Sequence, residues 1–144
     1  MLYYRHTQIG YVIIILVLAG ILWLAYLLVA KFHPILYLEF FIMILALALF
    51  FSLTVQINEQ VIKIQFGIGV IHKQFWIDDI ESYRIVENPW YYGWGIRYTP
   101  HGWLYRVSGS TAIELRMKNG RKFRIGTDDP DGLLDAIDQV FDGA

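Results

Sequence analysis

Cysteine is absent from this 144-residue chain, which excludes disulfides, thiol nucleophiles and any zinc or iron site held by thiolates. Charge is nearly absent from its first third. Of 12 Lys and Arg and 13 Asp and Glu, only Arg5, Lys31 and Glu39 precede Asn58. The remainder is slightly acidic, which argues against nucleic acid as a partner. The histidines His6, His33, His72 and His101 are scattered, without HxxxH or HExxH spacing, so no metal site is expected. GxSxG, the P-loop and the dinucleotide fingerprint are all missing. Gly67-x-Gly69 and Gly93-x-Gly95 lack a third glycine, and Asp78-Asp79 and Asp128-Asp129 suit turn and cap positions better than an acid/base pair. The residues offer no catalytic centre and no cofactor site, so the chain is read as non-catalytic.

What is present begins with two apolar runs, residues 9–30 and 35–57, separated by a four-residue turn, Lys31-Phe32-His33-Pro34. The first carries no charge and would make about 33 Å of helix, enough for a hydrocarbon core of ~30 Å. A backbone in lipid must satisfy its own hydrogen bonds, so both runs are expected as helices, with spans near 9–30 and 35–55. The first exceeds a signal peptide's apolar region, and a second run follows at once, so it is expected to be retained. Trp23, Tyr26, Phe32, Tyr37, Phe40 and Phe41 gather toward the turn, while Tyr3, Tyr4 and Tyr11 mark the other end, as two interfacial belts. Ala19, Gly20, Ala25, Ala46, Ala48 and Ser52 would let the helices approach. Arg5, Lys63 and Lys73 flank the outer ends, so an inner-membrane, two-pass arrangement with both termini cytoplasmic is expected. Glu39 is the sole acid in either run: an ion or proton ligand, or a carboxylate reaching headgroup water or Lys31.

Residues 1–57 are thus read as a transmembrane hairpin and 58–144 as a separate domain. There the apolar period shortens to two. Val55 and Ile57, then Ile62, Ile64 and Phe66, then Ile71, Phe75 and Ile77 alternate with polar residues. Further strands are expected near 82–87, 103–107, 111–117 and 122–126, making seven. If Ile113, Leu115 and Met117 face inward with Phe123 and Ile125, a two-residue turn would mismatch them. A three-residue loop, Lys118-Asn119-Gly120, sets Leu115 against Phe123 and predicts a positive φ at Gly120. Asp128 or Asp129 can cap a closing helix with Pro130 in its first turn. Leu133, Leu134, Ile137, Val140 and Phe141 form its apolar stripe. The expected architecture is an α-hairpin followed by a β-rich unit, a seven-stranded bent antiparallel sheet or open barrel with one C-terminal amphipathic helix.

Gly93-Trp94-Gly95-Ile96-Arg97, the 111–117 strand with its Asn-Gly turn, and Ile125-Gly126-Thr127-Asp128-Asp129-Pro130 carry a resemblance. The chain resembles bacterial membrane proteins with a pleckstrin-homology-like domain behind a transmembrane hairpin, over roughly residues 10–141. The resemblance implies that fold and a binding or scaffolding role, not an enzyme. One departure is Asn58-Glu59-Gln60, which lacks the basic residues that phosphoinositide-binding members carry in the first hairpin loop.

Two surfaces are candidates for contact. Residues 88–105 concentrate aromatic rings; Trp90, Tyr91, Tyr92, Trp94, Arg97, Tyr98 and His101 are either a recognition surface or a plug for one barrel end, with Ile96, Trp103 and Tyr105 packing inward. Arg116, Lys122 and Arg124 share the outward face of the last hairpin, as a basic face for anionic lipid or as an ordinary solvated strand face. The leading expectation is a non-catalytic membrane protein whose cytoplasmic domain binds a membrane-protein partner or a second copy. The alternatives are sensing of anionic membrane lipids by the basic face and aromatic loop, or an accessory subunit of a membrane enzyme or transport complex using Glu39 or His101.

Overall fold

The computed structural model describes residues 2–31, 33–107 and 109–142. A strand, β1 (Leu2–Ile9), precedes the apolar helices α1 (Tyr11–Ala30) and α2 (Pro34–Phe50). Eight strands follow: β2 (Ser52–Asn58), β3 (Val61–Phe66), β4 (Ile71–Trp76), β5 (Ile80–Glu87), β6 (Gly95–Thr99), β7 (Gly102–Arg106), β8 (Thr111–Met117) and β9 (Lys122–Gly126). The helix α3 (Pro130–Asp142) closes the order.

β1 pairs antiparallel with β2, Arg5 opposite Gln56 and Ile9 opposite Ser52. Gly10 N–H donates to the Phe51 carbonyl, 2.7 Å away, extending the pairing to the helix feet. The two helices are therefore an insertion in the turn of a β-hairpin. No strand was expected before the helices from the sequence. Tyr4 is tied to the domain: its hydroxyl donates to Asp129 Oδ2 at 3.0 Å, and burial, followed by that bond, raises its pKa. Phe32 and the side chain of Tyr3 lie outside the described residues. Along α1 only Leu24 is buried and along α2 nothing is, so neither is the core helix of a soluble fold. α1 is long and apolar enough to cross a membrane; α2 is also apolar, Glu39 apart, but shorter, at 17 residues. They lie side by side, with Gly20 facing Met43 so closely that an added Cβ would stand 2.0 Å from its Cε.

Among the described residues, the expected single sheet of seven strands is corrected to nine strands in two sheets. One has the order β1-β2-β3-β4, the other β5-β8-β9-β7-β6. The additional strands are β1 and β6, and β7 pairs with β9 in parallel, Leu104 opposite Arg124. The last hairpin has the expected register, Leu115 opposite Phe123 and Ile113 opposite Ile125. Met117 N–H bonds the Arg121 carbonyl around a three-residue loop, and Gly120 has φ of 88°.

Between the sheets Ile57, Ile62, Ile64 and Phe66 meet Ile113, Leu115 and Ile125, all essentially inaccessible to solvent. α3 lies against β1 and β2 of one sheet and β5 and β8 of the other, inserting Leu133, Ile137 and Val140 into this core. It closes the seam where β1 and β5 are the outer strands. Its start is fastened by Asp129, whose carboxylate accepts from Gly132 N–H, and by His6, whose Nε2 is 2.6 Å from Asp128 Oδ1.

Candidate functional site

Two sheets facing one another have two seams. α3 covers one; among the described residues no helix packs as extensively over the other, where β4 and β6 are the outer strands. A groove of about 360 Å³ runs there between Phe66, Ile71 and Lys73 on the first sheet and Ile96, Trp103 and Phe123 on the second. Two neighbouring hollows share Arg121 and Phe123 with it. One, of about 540 Å³, reaches the β6–β7 turn at Pro100 and His101 and includes Lys122. The other, of about 300 Å³, reaches Trp76, Asp79 and Lys118.

The groove floor is aromatic because inward positions of four strands all place rings there. Phe75 stands 4.9 Å from Phe123 and 6.1 Å from Tyr105, and Phe66 is 6.2 Å from Tyr105. Burial raises the pKa of the Tyr105 hydroxyl, so it remains a neutral phenol. The rim is basic. Lys73 Nζ lies 5.6 Å above the Phe123 ring, a cation–π contact. Lys73, Lys118, Arg121 and Lys122 form no ion pair among the described residues, and the single acid lining any of the three hollows is Asp79.

The aromatic segment divides between two surfaces. Residues 88–94 cross the outer face of the second sheet. There Arg106 Nη1 donates to the Pro89 carbonyl at 3.3 Å, its guanidinium lies 4.7 Å from the Trp94 ring, and Arg97 Nε donates to the Trp94 carbonyl. Burial lowers the Arg106 pKa. Trp94 and Tyr92 are half-buried, Tyr92 tilted against His101, while Trp90 and Tyr91 are 77% and 68% exposed. Tyr98 points to the other side of β6, 75% exposed and edge-on to Trp103 at the mouth of the groove. Trp103, expected to pack inward, is 42% exposed there, whereas Tyr105 is buried as expected.

The expected basic face is broken up. Arg124 does point outward, but the segment 88–94 covers it and leaves it 4% exposed. Its Nη1 donates to Asn88 Oδ1 at 2.8 Å and its Nε to Glu114 Oε1 at 3.3 Å. Arg84 Nε donates to the other Glu114 oxygen at 2.8 Å. Burial pushes the Glu114 carboxyl up, but the Arg84 hydrogen bond and the Arg124 charge outweigh it and hold the pKa below its ordinary value. Arg116 is exposed, with Glu81 at 3.7 Å, and Lys122 is half-buried in the neighbouring hollow by the β6–β7 turn.

A further hollow, about 410 Å³, lies where Ile13, Leu16 and Val17 of α1 and Ala46 and Phe50 of α2 face the Gly93–Arg97 turn. Glu39 is exposed on α2, and no ion pair joins it to Lys31. Among the described residues no cluster of His, Asp or Glu is arranged to hold a metal. The sequence did not disclose the groove, because Lys73 and Arg121 are remote along the chain and only the fold brings them together. Compared with protein-family models, curated proteins and solved structures, the chain matches none.

Proposed function

We propose that this is a non-catalytic, two-pass integral membrane protein whose domain serves protein interaction or scaffolding at the bilayer surface, with both termini cytoplasmic. One observation carries the reading: α1 and α2 interrupt a continuous β1–β2 pairing, so the apolar helices join the domain through two adjacent hydrogen-bonded strands. A helical pair this apolar and this exposed needs lipid around it. Cleavage after α1 would strip an outer strand and the Tyr4, His6 and Gln8 side-chain bonds from the domain, which favours a retained helix. Two sheets closed by one C-terminal helix are in keeping with a pleckstrin-homology-like domain.

Attachment without a flexible linker keeps the domain at membrane height, raising its effective concentration toward any membrane-bound partner. The exposed rings Trp90, Tyr91 and Tyr98 suit a contact surface that is half apolar and half wet. Sensing of anionic lipid is less well supported, since Arg124 is buried in an ion pair and Arg116 faces Glu81. Crosslinking in native membranes followed by affinity purification should recover a discrete partner or a homo-oligomer; recovery of neither would overturn the proposal.

A further inference from the structure

We propose that the open seam between β4 and β6 binds an extended acidic peptide segment of a partner protein, laid along a free strand edge with its carboxylates against Lys73, Arg121 and Lys122. This deepens the interaction reading above and rests on it.

Three observations converge on that occupant. First, β4 and β6 each have a strand neighbour on one side only, so each presents an unpaired row of backbone donors and acceptors. An extended chain is the shape that satisfies such a row, as in recognition by strand addition. Second, charge selects the sequence. Four cations line the seam and its adjoining hollows against the single carboxylate of Asp79, and none of the four forms an ion pair among the described residues. Lys73 rests instead on the face of Phe123. Of the outer strands at this seam β4 carries Lys73, whose charge disfavours pairing of β4 with its copy in a second molecule and admits an acidic strand.

Third, the floor suits alternation. An extended peptide turns every second side chain to the same face. Apolar side chains at that spacing would meet Phe123 and Trp103, while the intervening carboxylates would lie against the basic rim. The groove also starts next to the helix feet, since Phe66 at one end packs edge-on to Phe50 of α2 at 5.5 Å. A partner whose acidic segment directly follows a membrane helix could enter at that end.

The test uses the full chain in phosphatidylcholine nanodiscs and a fluorescein-labelled peptide alternating Glu with Val, followed by fluorescence anisotropy. Saturable binding is expected, weakened by added salt and reduced about tenfold by the double variant Arg121→Gln/Lys122→Gln. Lys63→Gln, which removes a positive charge outside the groove, should leave binding unaltered. A peptide with Lys in place of Glu should not bind, and one N-methylated at alternate residues should bind weakly, because it cannot complete a strand ladder. The proposal is overturned if the Glu peptide does not bind, if the Lys peptide binds as well, or if the double variant matches the parent. Equal binding of the N-methylated peptide overturns it too, as does full displacement by inorganic phosphate or phosphatidylglycerol vesicles. Near-UV circular dichroism checks that each variant is folded, and Lys73→Gln supplies an independent arm expected to weaken binding. If the double variant still captures in native membranes the partner that the parent captures, the seam is not the site while the scaffolding reading stands. Capture of nothing by the parent refutes that reading itself.

Discussion

Gln8 Nε2 donates to the backbone carbonyl of Gly126 at 2.6 Å, joining the strand before the helices to the last strand of the other sheet. Gln8 is 1% exposed, so its amide has been withdrawn from water and must be repaid by protein partners. Gln8→Leu keeps most of the volume but strips the donor from a buried carbonyl. The expected loss is about 1–3 kcal/mol, measured as a lower denaturation midpoint in detergent with an unchanged slope.

Because Gly10 and Phe51 are themselves hydrogen-bonded, the helices should be dispensable for the domain's fold. Replacing residues 11–50 by an Asn-Gly turn joins β1 to β2 with a hairpin geometry that suits their twist. The product is expected to be monodisperse without detergent and rich in β-structure by circular dichroism. Removal of residues 2–9 as well should cause aggregation, since β2 then becomes an outer strand. A soluble, stable product lacking 2–9 would contradict the role assigned to β1.

Two glycines with positive φ should respond differently to alanine. At Gly102, φ is 99° and an added Cβ would lie 2.0 Å from the Lys122 carbonyl oxygen, which belongs to backbone. At Gly120, φ is 88° with open space around it. Gly120→Ala should cost about 1 kcal/mol and Gly102→Ala about 3 kcal/mol or more, read by equilibrium unfolding of the two variants side by side.

Glu114 sits between Arg84 and Arg124, and its carboxyl pKa in the folded chain is below the ordinary value of 4.5. Ionisation is thus favoured by folding: its stabilising contribution is complete above pH 4.5 and disappears as pH falls through the lowered value. Glu114→Gln leaves Arg124 buried without a counter-charge and should cost about 3 kcal/mol at neutral pH. The gap between parent and variant should narrow on acidification below pH 4.5, as measured by urea unfolding across pH.

Local patterning made much of this legible. The parity of Leu115 against Phe123 was enough to place the Lys118-Asn119-Gly120 loop, and the α3 stripe follows from Leu133, Ile137 and Val140 at helical spacing. β1 escaped because its alternation carries Tyr4, His6 and Gln8, polar groups that bond Asp129, Asp128 and Gly126 where an apolar row would be looked for. Its pairing partner is also separated from it by two helices. β6 was obscured in the same way by Arg97 and Tyr98 among glycines. Arg124 shows a different limit. Its outward parity was legible, yet parity says nothing about what lies over a face, and Asn88 comes from a segment with no periodic signal.

Insertion of the helices into a β-hairpin has a mechanical consequence. A domain hung from one flexible tail can swivel, whereas one continuous with two neighbouring strands cannot turn without shearing their ladder. In the proposed two-pass arrangement, a tilt of the helical pair would act on the first sheet through that ladder. The seam between β4 and β6 is bounded by that same sheet, so a change in its twist would be felt at the β4 wall.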